Sequence, residues 1–184
     1  MRVYLNPGHA PNGNPDPGAV NAHTGLRECD VAKNIADLVE KYLTVAGVSV
    51  SGNLQSDSLY EIVSSANNLD VDVFVSIHCN AYNGKARGTE VWHYHSSRDG
   101  RLLAECIQRQ IVDAIGSVDR GIKGAIPGQN GLYVLTNTDA VSVLIETAFI
   151  DNMDDEELLR ERQDEFARAI ARGITDFEQE TLNR

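Results

Sequence analysis

Four side chains in this sequence could meet to hydrolyse a polar bond. His9 follows a short apolar run, His78 closes the run VFVSIH, and Glu146 closes SVLIE. Glu28 stands at the far end of a proline- and glycine-rich loop that begins at His9. Two histidines and a carboxylate match the ligand set of a catalytic zinc site, which leaves the fourth tetrahedral position to water. Zinc lowers the pKa of such a water to about 7. A carboxylate that is not a ligand can take the water's proton and later pass it to a leaving amine; Glu146 is placed for that work. Taken singly, each of the four is a weak signal, since a lone histidine at a strand end is usually just a polar terminator, and no HExxH signature is present.

The elements that must position these groups follow from hydrophobic period. Residues 3–5 form a short apolar strand that runs into NPGHAPNGNPDPGAV, which holds four of the five prolines and reads as a long shaped loop without helix. Residues 30–45 read as an amphipathic helix, with Val31, Ile35, Leu38, Val39, Tyr42 and Leu43 on one face. Strands follow at 48–50, 71–77, 89–94, 133–135 and 141–145. Leu59, Ile62, Val63, Ala66 and Leu69 trace a second helix, and Leu103, Ile107, Ile111 and Ile115 a third. A last helix starts near Asp154, with Phe166, Ile170, Ile174 and Phe177 on its inner face. Strands alternating with helices predict an α/β fold: a single open, mostly parallel twisted sheet with helices on both faces. Ligands in such sheets gather beyond the carboxyl ends of the strands, so the zinc site is expected at that edge.

The bulk composition narrows the alternatives. A chain of 184 residues is expected to be one domain, 1–184, with a core that needs no covalent staple. Net charge is -11, with no stretch rich in both basic and aromatic residues, which argues against nucleic acid and anionic membranes as partners. The densest acidic run, 151–157, suits the start of a helix. Three cysteines without paired spacing are not a disulfide framework. No apolar run is long enough to span a membrane, and strand-like sequence begins directly after Met1. The expectation is cytoplasmic synthesis, or a chain trimmed of its leader.

Other candidates are weaker. His93 and His95 share a strand face, but no carboxylate or cysteine accompanies them, and a surface strand exit is the preferred reading. His23 has no visible partner. Cys79 adjoins His78 but points to the opposite face by strand alternation, so core is expected for it and for Cys29.

In order along the chain stand NPGH (6–9), DPGAV (16–20), GLRE (25–28), SSAN (64–67), SIHCNA (76–81), GTEVW (88–92), LYVL (132–135) and LIETAFIDN (144–152). Together they span nearly the whole sequence, which resembles the zinc-dependent N-acetylmuramoyl-L-alanine amidases of the Amidase_3 type. Carried over by position, the resemblance implies one zinc ion per chain on His9, Glu28 and His78, with Glu146 as the catalytic carboxylate. It implies hydrolysis of the amide between the lactyl group of N-acetylmuramic acid and L-alanine of the stem peptide, and hence peptidoglycan as partner and the cell wall as place of action. Asn80 either hydrogen-bonds substrate or caps its loop, and Glu90 either supports the site or faces solvent. Many relatives carry an arginine in the helix before the Ala-Asn pair and a Thr-Arg pair after the second strand. Here LYEIVSSAN and SGNLQSDS have neither, which leaves substrate contacts on that side open. A bare monomeric catalytic domain is expected, without a blocking insertion or wall-binding repeat. The rival readings are a zinc hydrolase for another amide, and a non-catalytic wall-binding module.

Overall fold

The computed structural model describes residues 1–130 and 132–183. Six strands form one sheet: β1 (Arg2–Pro7), β2 (Ser49–Asn53), β3 (Val73–Asn80), β4 (Thr89–Tyr94), β5 (Asp119–Ala125) and β6 (Val141–Phe149). Their spatial order is β2-β1-β3-β6-β4-β5. Neighbouring strands are parallel except β4 and β6, which run antiparallel. The expected mostly parallel α/β sheet is therefore present, with one reversal whose consequence appears at the site.

Helices cover both faces. They are α1 (Glu28–Val45), α2 (Leu59–Asn68), α3 (Arg98–Ile115), α4 (Tyr133–Asn137), α5 (Met153–Glu161) and α6 (Gln163–Leu182). Alternation along β3 sends Val73, Val75, Ile77 and Cys79 into a large core with α1, α3 and α6. The opposite face, with Tyr4, Phe74 and Leu144, packs against Ile62, Val63 and Ala66 of α2 and Val134 and Leu135 of α4. His78 and Glu146 share the parity of Phe74 and Leu144, so they belong to this smaller face.

Three sequence expectations change. Residues 133–135 are helix, not strand. Leu132 O accepts from Leu135 N at 3.0 Å and from Thr136 N at 3.1 Å, and three residues are too few for a period to reveal itself. The expected last helix is two, α5 and α6, broken at Arg162 (φ -121, ψ 27). The break lets the Arg162 guanidinium donate to Ile115 O at 2.8 Å and Ala114 O at 3.0 Å, closing the end of α3. His93 is not at a surface exit. It is buried, with Nδ1 2.9 Å from Tyr94 O. The sequence reading also missed β5, whose DRGIKGA carries too much glycine and charge to look like a strand, and a single 3-10 turn over Pro11–Gly13.

Candidate metal centre and catalytic carboxylate

β1 ends at Pro7, and the chain turns at once. Gly8 N donates to Ile77 O at 2.9 Å, and Ala10 N donates to Asp16 O at 2.9 Å. Between them His9 sits at φ 66, a left-handed conformation that costs a non-glycine residue energy and persists only where its surroundings over-determine it. The loop then runs back to Glu28, the first residue of α1, whose carboxylate reaches toward the end of β3. His78 stands near that end, where the β3–β6 register breaks between His78 and Asn80. Thr147 Oγ1 donates to His78 O at 2.8 Å and holds the irregularity.

His9, Glu28 and His78 therefore converge. Each offers one ligand atom, and these atoms all lie within 4.8 Å of one another. His9 Nε2 is 2.9 Å and His78 Nδ1 3.0 Å from Glu28 Oε1. Tetrahedral zinc with bonds near 2.0–2.1 Å holds ligand atoms about 3.3 Å apart, so the two contacts to Glu28 would lengthen by only a few tenths of an ångström around an ion.

The backbone shapes this cradle. Cys79 N donates to Glu28 Oε1 at 3.0 Å and Ala19 N to Glu28 Oε2 at 2.8 Å. A Cβ on Gly8 would lie 2.4 Å from His78 Cε1. One on Gly18, itself at φ +69, would lie 2.5 Å from His9 Cδ2 and 2.6 Å from Glu28 Oε2. PGH and DPG thus carry glycine because the imidazoles and carboxylate pack directly on the main chain.

Electrostatics separate the two glutamates. Burial alone would raise the pKa of Glu28, but hydrogen bonds from His78 and His9 outweigh it and hold the carboxyl well below the usual range. Burial would likewise lower His9. Its hydrogen bonds to Glu28 and to Asp16, whose Oδ2 accepts from Nδ1 at 2.8 Å, instead push it up to about 9. Asp16 thereby fixes the ring so that Nε2 faces Glu28, as a carboxylate behind a metal-binding histidine does. Glu146 has the opposite surroundings. Burial, then the charges of Glu28 and Glu90, push its pKa well above the ordinary value, and its Oε2 is buried without a hydrogen-bond partner.

The remaining candidates fall into place around this cluster. Glu90 does not face solvent: it is 5% exposed and lies opposite Glu146 in the β4–β6 register. Asn80 caps its own loop through Oδ1, which accepts from Ala81 N at 2.9 Å, while Nδ2 donates to Glu90 Oε1 at 3.4 Å. Cys79 is buried on the other face, and burial pushes its thiol far up, which removes it as a competing thiolate. Cys29 is buried as expected, and His23 stays on the exposed loop. Asp16 and Arg120, whose Nε donates to Glu90 Oε2 at 2.8 Å, are the contributors that sequence reasoning missed. Asp16 lay in view within DPGAV, but nothing in a linear motif says that its carboxylate turns back to His9. A cavity of about 280 Å³ opens beside the cluster, lined by His9, His78, Leu59, Tyr133 and Leu144 among others.

This architecture is that of solved amidase structures. The chain superposes on the N-acetylmuramoyl-L-alanine amidase from Clostridium difficile 630 with a TM-score of 0.87 and 29% identity, over 97% of this chain and 96% of that one. It belongs to the N-acetylmuramoyl-L-alanine amidase family, whose model matches residues 3–176. It is 32% identical to the N-acetylmuramoyl-L-alanine amidase LytC of Bacillus subtilis over 95% of this chain, and 36% identical to the endolysin of Bacillus phage SPP1 over 98%. It spans only 35% of the length of the former and 66% of the latter.

Proposed function

We propose that the chain hydrolyses the amide between N-acetylmuramic acid and L-alanine in peptidoglycan, with one zinc ion held by His9, Glu28 and His78. The observation that carries this reading is one site with two opposed glutamates. Glu28 is bound by four donors and ionised, while Glu146 is buried with an unpartnered oxygen. Bound zinc would supply Lewis acidity toward a water and the scissile carbonyl.

The chain's own residues do the rest. Asp16 keeps His9 in the tautomer whose Nε2 is free to ligate. Gly8 and Gly18 keep side chains out of the cradle. Glu146 removes a proton from the attacking water and returns it to the departing alanine nitrogen, a task its raised pKa suits because the carboxyl must hold a proton between the two steps. Asn80, oriented by Glu90 and Ala81, donates a hydrogen bond to substrate. The groove between β3 and α4 receives the chain of the substrate beside the scissile bond. The family and the relatives named an amidase and an endolysin support a place of action in the cell wall.

The test is product analysis on purified wall, with metal measured in the same preparation. One zinc per chain, new L-alanine amino ends and loss of activity with chelator are expected. Glu146→Gln keeps its zinc and loses turnover by about 10²–10⁴-fold. New ends other than L-alanine would mean a different amide, and wall left intact would mean a binding module.

A further inference from the structure

Because β4 runs against β6, it brings its first residues, not its last, to the edge that holds His9, Glu28 and His78. Glu90 arrives there opposite Glu146. Its Oε2 accepts from Arg120 Nε at 2.8 Å, and its Oε1 accepts from Trp92 Nε1 at 3.1 Å and Asn80 Nδ2 at 3.4 Å. Arg120 comes from β5, where the register with β4 shifts between Thr89 and Val91 and Gly121 sits at φ 75. Such a bulge re-aims a side chain. Here it turns Arg120 to the Glu90 side while Ile122 packs on the large core. Asp119 Oδ1 secures the bulge by accepting from Gly121 N at 2.8 Å and Gln108 Nε2 at 2.6 Å.

The Arg120 guanidinium carbon lies 4.8 Å from the centre of the Phe149 ring. Its side chain is 35% exposed, and only Nε is used: the two terminal nitrogens have no hydrogen-bond partner among the described residues. A guanidinium anchored through Nε and braced on a ring presents its outer edge as a fixed fork, the geometry that takes a carboxylate in two parallel hydrogen bonds. The groove on the α2 side offers the reverse: Asp16 and Asp57 line it, and no lysine or arginine does among its described residues.

We infer that Arg120 contacts substrate and determines specificity, by receiving a free carboxylate of the stem peptide beyond L-alanine. This rests on the amidase reading above. A fixed fork two strands from Glu146 also sets the direction in which the peptide leaves the scissile bond, over β4 and β5.

The test uses three synthetic muramyl peptides that share a muramyl-L-alanyl-D-glutamyl core: one with all carboxylates free, one amidated at the second residue, one amidated at the terminal carboxyl. The parent chain is expected to lose about tenfold to a hundredfold in kcat/KM on one of the two amidations. In Arg120→Gln that difference shrinks to about twofold or less, and Arg120→Lys retains part of it. Arg120→Gln leaves the buried Glu90 without its cation, so the double variant Glu90→Gln/Arg120→Gln is measured beside it and is expected to have lost the same discrimination. A parent that treats the three peptides alike overturns the inference. So does an Arg120→Gln variant that is slower on all three yet keeps the parent's discrimination, since Arg120 would then serve only to hold Glu90. Failure of the parent to release L-alanine ends from any peptide would instead sink the amidase reading itself.

Discussion

Metal affinity should climb steeply with pH across the neutral range, because an ion must displace a proton from His9. In the metal-free chain both His9 nitrogens donate to carboxylates, Nδ1 to Asp16 and Nε2 to Glu28, and the ring titrates at about 9 rather than 6.5. At pH 7 the ring sits two pH units below that value, so the competing proton weakens apparent binding about a hundredfold, roughly 2.7 kcal/mol. Apparent affinity should rise close to tenfold per pH unit from 7 and level off near 9. Titration calorimetry in buffers of different ionisation enthalpy reads the same effect as about one proton released per zinc at pH 7, falling away above pH 9. The same shift has a stability consequence of fixed sign. His9 has its raised pKa only when folded, so its contribution is fully present below 6.5 and is lost as pH rises through about 9. Solvent at the open rim limits that contribution to about 1–2 kcal/mol. Glu28, with a depressed pKa, contributes above its ordinary 4.5 and fails in acid. The metal-free chain should therefore be most stable between these limits, and its melting temperature should fall on either side. Zinc affinity that does not change between pH 7 and 9 would refute the reasoning.

Gly18→Ala forces a Cβ to within 2.6 Å of Glu28 Oε2 at φ +69, so about 1–3 kcal/mol of stability and most of the bound zinc should go, as read by melting and metal analysis. Asp16→Asn keeps an oxygen for Gly18 N, 2.9 Å away, but withdraws the charge behind His9. Zinc affinity should drop about 10–100-fold by chelator competition, with little change in fold. Phe166→Ala empties a fully buried position between α6 and the sheet and should cost about 3–5 kcal/mol in denaturant unfolding while leaving zinc stoichiometry at one.

Hydrophobic period revealed the long helices and the buried strands because those elements are defined by one repeating face. It failed where local sequence and tertiary setting disagree. YVL has strand propensity but becomes helix because it caps the smaller core against α2. DRGIKGA lacks a strand's composition but pairs with β4, with a glycine bulge absorbing the mismatch. The four candidate site residues could be picked out from the sequence because three of them end apolar runs and the fourth closes the loop that starts at His9. Glu90 stays open there between supporting the site and facing solvent, and Arg120 is not seen at all, for a geometric reason. Looking beyond carboxyl ends finds residues on parallel strands, whereas β4 is reversed and offers its amino end to the same edge.

The same geometry explains how two glutamates in one site can hold different roles without any difference in intrinsic chemistry. Glu28 enters at the start of α1, where two backbone amides and two imidazoles meet it, so its negative charge is stabilised more than burial penalises it. Glu146 enters from the middle of the sheet, where its neighbours are the carboxylates of Glu28 and Glu90 and one of its oxygens finds no donor. Arg120 neutralises Glu90 from the far side, which lets a second buried carboxylate exist beside Glu146 at all. Environments that drive two carboxyls apart in pKa suit one to holding charge and the other to carrying a proton, the division of labour proposed for Glu28 and Glu146. The reversed strand is what makes this possible. A parallel β4 would present His93 and Tyr94 at that edge, and Glu146 would lose both the carboxylate across from it and the cation that tolerates it.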